Sequence, residues 1–194
     1  MFLKLFTLLL AFGIGSIPFG LILCTLFGGV DPREGGSANI GATNVARLTG
    51  WGLGGATLAL DAGKGLLVVL IARSIFEGGV WVEVCGFLAI SGHCWSIFLD
   101  FRGGKGVATT AGVFLGLAPL VLLLNLALWA GTFWWSRRAS VASLAAAVAL
   151  PILCALLAVE HLLVSLLVLG VLVQRHRSNL ERILDGNEPA LGED

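Results

Sequence analysis

The sequence predicts an all-α integral membrane protein, a polytopic helix bundle, and three observations predict it. Hydrophobic residues make up 57% of the 194 positions and charged residues only 12%, against about 25% charged in ordinary soluble domains. Mean hydropathy is +0.96, so a water-soluble fold would have too little polar surface to cover itself. The apolar residues also fall in long runs, as bilayer crossings require: ~20 residues at ~1.5 Å each to traverse ~30 Å of hydrocarbon.

Residues 2–27 are the first run. The run is too long for a signal peptide, has a single Lys4 near its start and lacks a small-x-small cleavage pattern. A retained transmembrane helix is expected. Residues 51–76 give a second crossing, and residues 80–99 a third, opened by Gly78-Gly79. Two longer blocks follow, 107–135 and 141–173. The latter would be about 50 Å as one helix, beyond a tilted span. It carries Glu160-His161 near its middle, a costly pair at the bilayer centre and an ordinary one in a tight turn. Pro119 is a natural break in the other block. Splitting both blocks gives seven crossings and splitting neither gives five.

Charge placement separates these alternatives. With seven crossings and the N-terminus outside, Arg33, Arg47, Arg102, Lys105, Arg137, Arg138, Arg175, Arg177 and Arg182 share one side. Lys4 and Arg73 remain on the other, and Lys64 lies within a helix. Five crossings would put Arg137-Arg138 outside. Seven crossings are therefore preferred, with the crowded side cytoplasmic. The segments expected there are 28–50, 100–106, 136–140 and 174–194, all part of one transmembrane domain. Small residues four apart, Ser16 with Gly20 and Gly112 with Gly116, suit helix contacts.

Several classes are excluded. Net charge is zero, so nothing points to nucleic acid. Cys24, Cys85, Cys94 and Cys154 lie in apolar segments without CxxC spacing and read as small hydrophobes rather than metal ligands or disulfides. The carboxylates do not cluster, so neither a metal nor another cofactor is called for.

Three polar segments carry the chemistry. The first, 35–47, interleaves glycines with Ser37, Asn39, Thr43 and Asn44 and ends at Arg47. Exposed amides, short donors and a guanidinium fork suit phosphate or carboxylate; composition alone fits a flexible connector equally well. The second places Gly103, Gly104 and Gly106 around Lys105, directly ahead of an apolar helix. Backbone amides, the helix's positive end and an ammonium would converge on an anion there. Leu99 and Gly106 break the Walker A pattern, which argues against ATP chemistry. The third, 175–188, would as a helix set Arg175, His176, Asn179 and Arg182 along one face. Arginines after a last helix are ordinary topology anchors, whereas His176 and Asn179 add nothing to anchoring. Asp61 and Lys64, three apart in the second crossing, read first as an ion pair, and His93 as a helix-end hydrogen-bonder. Ser140 and Ser143 lie beside Arg138 and extend the anion reading.

Together these segments closely resemble the signatures of the bacterial acyl-phosphate:glycerol-3-phosphate acyltransferase family (PlsY). The patterns, approximately GSxNxGATNxxR, GHxxxxxxxFxGGKGVAT and RHxxNxxRLxxGxE, match at 36–47, 92–109 and 175–188. Ala38 stands where relatives often have Gly, Trp95-Ser96 replaces a common Phe-Pro, Ile183 stands for Leu, and Asp100 adds an acid beside the glycine loop. The resemblance implies transfer of an acyl group from acyl phosphate to the sn-1 hydroxyl of glycerol 3-phosphate, at the cytoplasmic face of the bacterial inner membrane. Ser37, Arg47, Lys105, Gly103, Gly104 and Gly106 would hold phosphate, helped by Ser140 and Ser143. His176 would act as base or orient the acceptor, Asn179 would support it, and Asn39 and Asn44 would shape the pocket. An anion transporter and a lipid-binding scaffold are the competing classes. The first would place its site near the midplane, and the second leaves His176 and Asn179 unexplained.

Overall fold

The computed structural model describes residues 2–190; the last four positions of the expected 174–194 segment lie outside the described residues. All regular elements among the described residues are helices. They fall into two compact units, one ending at Gly116 and the next beginning at Leu117.

The first unit opens with α1 (Phe2–Ser16) and α2 (Phe19–Leu23), the latter running into a π-helical turn at Cys24–Gly28. The expected single helix over 2–27 is thus bent by 42°. Pro18 is the reason: it lacks an N–H and clashes with the preceding turn, so α1 ends before it. The freed carbonyls are taken up elsewhere in the unit. Ser96 Oγ donates to the Ser16 carbonyl at 2.6 Å, and Lys64 Nζ to the Ile17 carbonyl at 2.8 Å.

The segment after this bent pair contains a helix that glycine content concealed, α3 (Ala42–Thr49), followed at Gly50 by α4 (Trp51–Ile75). Next come α5 (Val80–Cys94), a 3-10 turn at Ile97–Leu99, and α6 (Val107–Leu117). The boundaries near 51, 76 and 80 fall where hydropathy placed them. Helices in this unit approach closely because glycine faces backbone: Gly15 against Ala89, Gly92 against Phe12, Gly112 against Ala62. A side chain at any of the three would collide with the neighbouring main chain.

The second unit comprises α7 (Pro119–Ser136), α8 (Ala139–Leu157), a 3-10 turn at Val159–His161, α9 (Leu162–Arg175) and α10 (Arg177–Leu184). Both expected breaks are present. Pro119 sits in the first turn of α7, where its missing N–H costs nothing, and Glu160-His161 occupies the 3-10 turn between α8 and α9. Within the α7–α8 pair, Asn125 Nδ2 donates to the Ala146 carbonyl at 2.9 Å, and Trp129 Nε1 donates to Ser143 Oγ at 3.1 Å. The C-terminal run is not the continuous helix expected; the chain bends by 63° between α9 and α10.

Among the described residues, four helices are long and apolar enough to cross a membrane singly, and up to six spans result when each bent pair counts as one. The outward faces carry Leu120, Leu123, Trp134, Trp135 and Leu163, which in water would be costly and in lipid are not.

Candidate active site

In the first unit the segment 29–41 is organised by one side chain. Asn44, in the first turn of α3, is 2% exposed. Its Nδ2, with two protons, lies within hydrogen-bond reach of the carbonyls of Pro32 (2.8 Å), Gly35 (3.1 Å) and Asn39 (2.9 Å), so that one proton is shared between two of them. Its Oδ1 accepts the Ser37 amide at 2.9 Å and approaches Arg47 Nη1 at 3.4 Å. Asn44 therefore shapes the segment, as expected, and its own polar atoms are engaged in doing so. Asn39 closes an Asx turn by accepting the Gly41 amide at 2.9 Å. Ser37 is exposed and Arg47 half-buried on the same short stretch. Ala38 adopts φ +51°, the left-handed region that glycine reaches freely and alanine does not. That accounts for the glycine frequent at this position in relatives. Outside the α3 contacts, Asp31 makes a two-point pair with Arg33, Nη2 to Oδ2 being 2.6 Å. Hydrogen bonds from Arg33 hold the Asp31 carboxyl below its ordinary range.

The glycine loop is built as a return turn. After α5, Asp100 and Phe101 both take left-handed conformations, and Arg102 N–H closes the turn on the Leu99 carbonyl at 2.8 Å. The chain then runs back along the end of α5, with Gly103 N–H donating to the Cys94 carbonyl (3.1 Å) and Gly104 N–H to the His93 carbonyl (3.0 Å). These two amides were expected to hold phosphate; they are engaged in placing the loop instead. Lys105 and Gly106 follow, half-buried and buried, and lead straight into α6. The geometry thus puts Lys105 at the positive end of an apolar helix, as the sequence suggested.

Behind this loop lies a group that the sequence showed only in part. Lys64 Nζ is 2.7 Å from Asp61 Oδ1 and 2.9 Å from His93 Nδ1, and all three side chains are buried. The Lys–Asp approach does not meet hydrogen-bond angles, since Asp61 Oδ1 has no such partner; the attraction is that of an ion pair. Spacing gave the pair in advance. The third member, 29 positions away, had no local signal.

In the second unit the hub is Glu188, which lay inside the third pattern but was given no role. It is 7% exposed. Asn179 Nδ2 donates to Oε1 and Arg182 Nε to Oε2, both at 2.7 Å, while Arg138 Nε donates to the Glu188 carbonyl at 2.7 Å. Burial alone would raise its pKa; the Ser140 hydroxyl, Asn179 and Arg182 outweigh this and hold the carboxyl below the ordinary range. Ser140 Oγ is close enough to favour the charge without reaching hydrogen-bond geometry, and it and Asn179 Oδ1 are buried without a hydrogen-bond partner. His176, 2% exposed, sits at the bend between α9 and α10, with Nδ1 2.8 Å from the Leu172 carbonyl. A carbonyl only accepts, so Nδ1 carries the proton and the neutral ring's lone pair is on Nε2. Ser143, expected on the anion, accepts the Trp129 bond within the α7–α8 pair and keeps its own O–H as a donor.

Each unit holds its own expected residues: Ser37, Asn39, Asn44 and Arg47 on or ahead of α3 and Lys105 ahead of α6 in the first, and Ser140 and Asn179 at Glu188, with His176 three residues before Asn179, in the second. No group of three or more His, Cys, Asp or Glu side chains suited to a metal occurs among the described residues.

Fold and clusters define a multi-pass helical membrane protein with basic, amide and glycine groups collected between its helices. The profile of the family described as Glycerol-3-phosphate acyltransferase matches residues 5–186, and the chain belongs to that family. It is 45% identical over 188 residues to the glycerol-3-phosphate acyltransferase of Solidesulfovibrio magneticus, covering 96% of this chain and 94% of that one. The Geobacter sulfurreducens enzyme is 46% identical over 180 residues, 92% of each. Among solved structures, the crystal structure of PlsY, an integral membrane glycerol 3-phosphate acyltransferase, in its glycerol 3-phosphate form superposes with a TM-score of 0.92. Identity there is 37%, over 97% of this chain and 96% of that one. The lysophosphatidic acid form gives 0.90 at 36% identity, over 98% and 96%.

Proposed function

We propose that this chain moves a fatty acyl group from acyl phosphate to the sn-1 hydroxyl of glycerol 3-phosphate. The products are lysophosphatidic acid and inorganic phosphate, and the reaction opens phospholipid synthesis. The observation that carries the reading is the buried cluster at Glu188, where Asn179 Oδ1 has no hydrogen-bond partner and the Ser140 hydroxyl reaches the carboxylate only outside hydrogen-bond geometry. Leaving an atom such as Asn179 Oδ1 unbonded costs about 1–3 kcal/mol, a cost that a polar substrate would remove. The similar structures in glycerol 3-phosphate and lysophosphatidic acid forms support the acceptor and product.

The chemistry asks little of a covalent catalyst. Phosphate is a good leaving group, so the glycerol hydroxyl oxygen can attack the acyl carbon directly. The tetrahedral oxyanion then collapses, breaking the bond between acyl carbon and phosphate oxygen. The hydroxyl proton goes to His176 Nε2 or to the departing phosphate. Arg47, Lys105 and Ser37 bind phosphate oxygens, Ser140 assists, and Asn179 orients the acceptor or donates to the oxyanion. Alignment of two mutually repelling anions supplies ~7–11 kcal/mol and one oxyanion donor ~3–4.

The chain is placed in the bacterial inner membrane with seven crossings, the N-terminus outside and the polar segments cytoplasmic. The crossing added to the six spans is α6, whose 11 residues reach about 17 Å. Labelling single cysteines at 136–140 from either side, in a background without native thiols, tests this; exterior labelling refutes it.

The activity is tested with purified protein, labelled glycerol 3-phosphate and palmitoyl phosphate, with palmitoyl-CoA as the competing donor. Lysophosphatidic acid from the acyl phosphate alone is expected; product from CoA alone overturns the donor assignment. His176→Ala is expected to lower kcat by ~10²–10⁴. Near-normal turnover would leave the donor phosphate as the base.

A further inference from the structure

We propose that Asp61, Lys64 and His93 form a positioning cluster that fixes the glycine loop 103–106 and so sets the affinity for phosphate at Lys105. The proposal rests on the acyltransferase reading for its kinetic consequence and on geometry for everything else.

Three elements meet at Lys64 Nζ: α4 supplies the lysine and Asp61, α5 supplies His93, and the α1–α2 bend supplies the Ile17 carbonyl. The lysine nitrogen donates to the Ile17 carbonyl at 2.8 Å and lies 2.9 Å from His93 Nδ1, whose own distance to Asp61 Oδ1 is longer, 3.5 Å. An ammonium only donates, so Nδ1 accepts and the neutral ring carries its proton on Nε2. The ring's direction is thereby fixed. Its Nε2 edge lies against Gly104, so close that a Cβ there would strike it. The His93 and Cys94 carbonyls hold the amides of Gly104 and Gly103. A single residue of α5 therefore grips the loop twice, through its ring and through its backbone, and the next residue is Lys105.

Stability gives no reason for this arrangement. Burying an ion pair among apolar helices usually gains nothing over well-packed hydrophobic side chains, and ionisable groups inside a membrane are kept where they serve function. A loop of three glycines has little stiffness of its own. The buried charges supply the direction that the loop lacks.

The test compares His93→Ala, His93→Asn and the neutral pair Asp61→Asn/Lys64→Gln with the unaltered protein, in detergent. Asn at 93 keeps an acceptor where Nδ1 stands. Amide hydrogen exchange of the 101–107 peptide should accelerate by at least about tenfold in His93→Ala and in the neutral pair. KM for glycerol 3-phosphate should rise by about ten- to a hundredfold with kcat changed far less. His93→Asn should recover most of both. Gly104→Ala should damage the unaltered protein but add less than about twofold on the His93→Ala background, because the clashing ring is gone.

Folding is checked by cooperative melting, and His93→Asn is the variant that preserves shape best. Loop exchange at the unaltered rate in folded variants overturns the proposal, as does strict additivity with Gly104→Ala. Absence of acyl transfer by the unaltered protein would instead sink the functional reading, while loop exchange would still report on positioning.

Discussion

Two buried hubs organise polar chain in this protein, and they work by different physics. Asn44 is neutral and bonds to main chain: three carbonyls, one amide and a distant guanidinium. It fixes the path of a segment. Glu188 is charged and bonds to side chains, Asn179 and Arg182. It fixes the direction of functional groups, and it leaves neighbouring oxygens unbonded. A neutral amide can saturate its surroundings without a charge to neutralise, whereas a carboxylate aims donors and makes the arrangement answer to pH.

The sharpest way to break the contrast is Asn44→Ala. Losing four buried or half-buried hydrogen bonds should cost about 3–4 kcal/mol, at every pH, read as a lower melting temperature and early proteolysis within 29–41. Glu188→Gln should cost about 2 kcal/mol near neutral pH, read in the same melts, and the cost should shrink in acid. The sign follows from the depressed carboxyl. Its stabilisation is fully present above the unfolded value of about 4.3 and is lost as pH falls through the lower folded value. A pH-independent difference between the two proteins would refute the charged hub. The smallest effect is expected at Ala38→Gly, which should relieve the left-handed alanine and stabilise by about 0.5–1 kcal/mol. A loss of stability there would mean that the Cβ packs usefully.

Sequence alone carried the helices whose ends have local causes. Pro119, the Glu160-His161 turn and the Gly78-Gly79 opening each bear their own chemistry, and each break lies where it was read. Pro18 bears the same chemistry but sits in an apolar run of normal crossing length, so length masked it. The α3 helix was hidden because its glycine, asparagine and threonine content resembles a loop, while its stability comes from Asn44 tying it to residues 32–39. Ser37, Arg47, Lys105, His176 and Asn179 were legible as candidates from residue type and motif. The partners that orient them were not: Glu188 is an acid in a basic run, and His93 meets Lys64 only through folding.

The bend at Pro18 has a consequence for biogenesis. A carbonyl without a donor cannot rest in hydrocarbon. The Ile17 carbonyl has a local donor in the Phe19 amide at 3.2 Å besides Lys64, whereas the Ser16 carbonyl takes its donor from Ser96, later in the chain. The opening span therefore reaches its final shape only after residue 96 has left the ribosome. Until then it must keep water at residue 16. Cysteine labelling at that position in nascent chains stopped before and after residue 96 should register the change, and identical accessibility at both lengths would refute it.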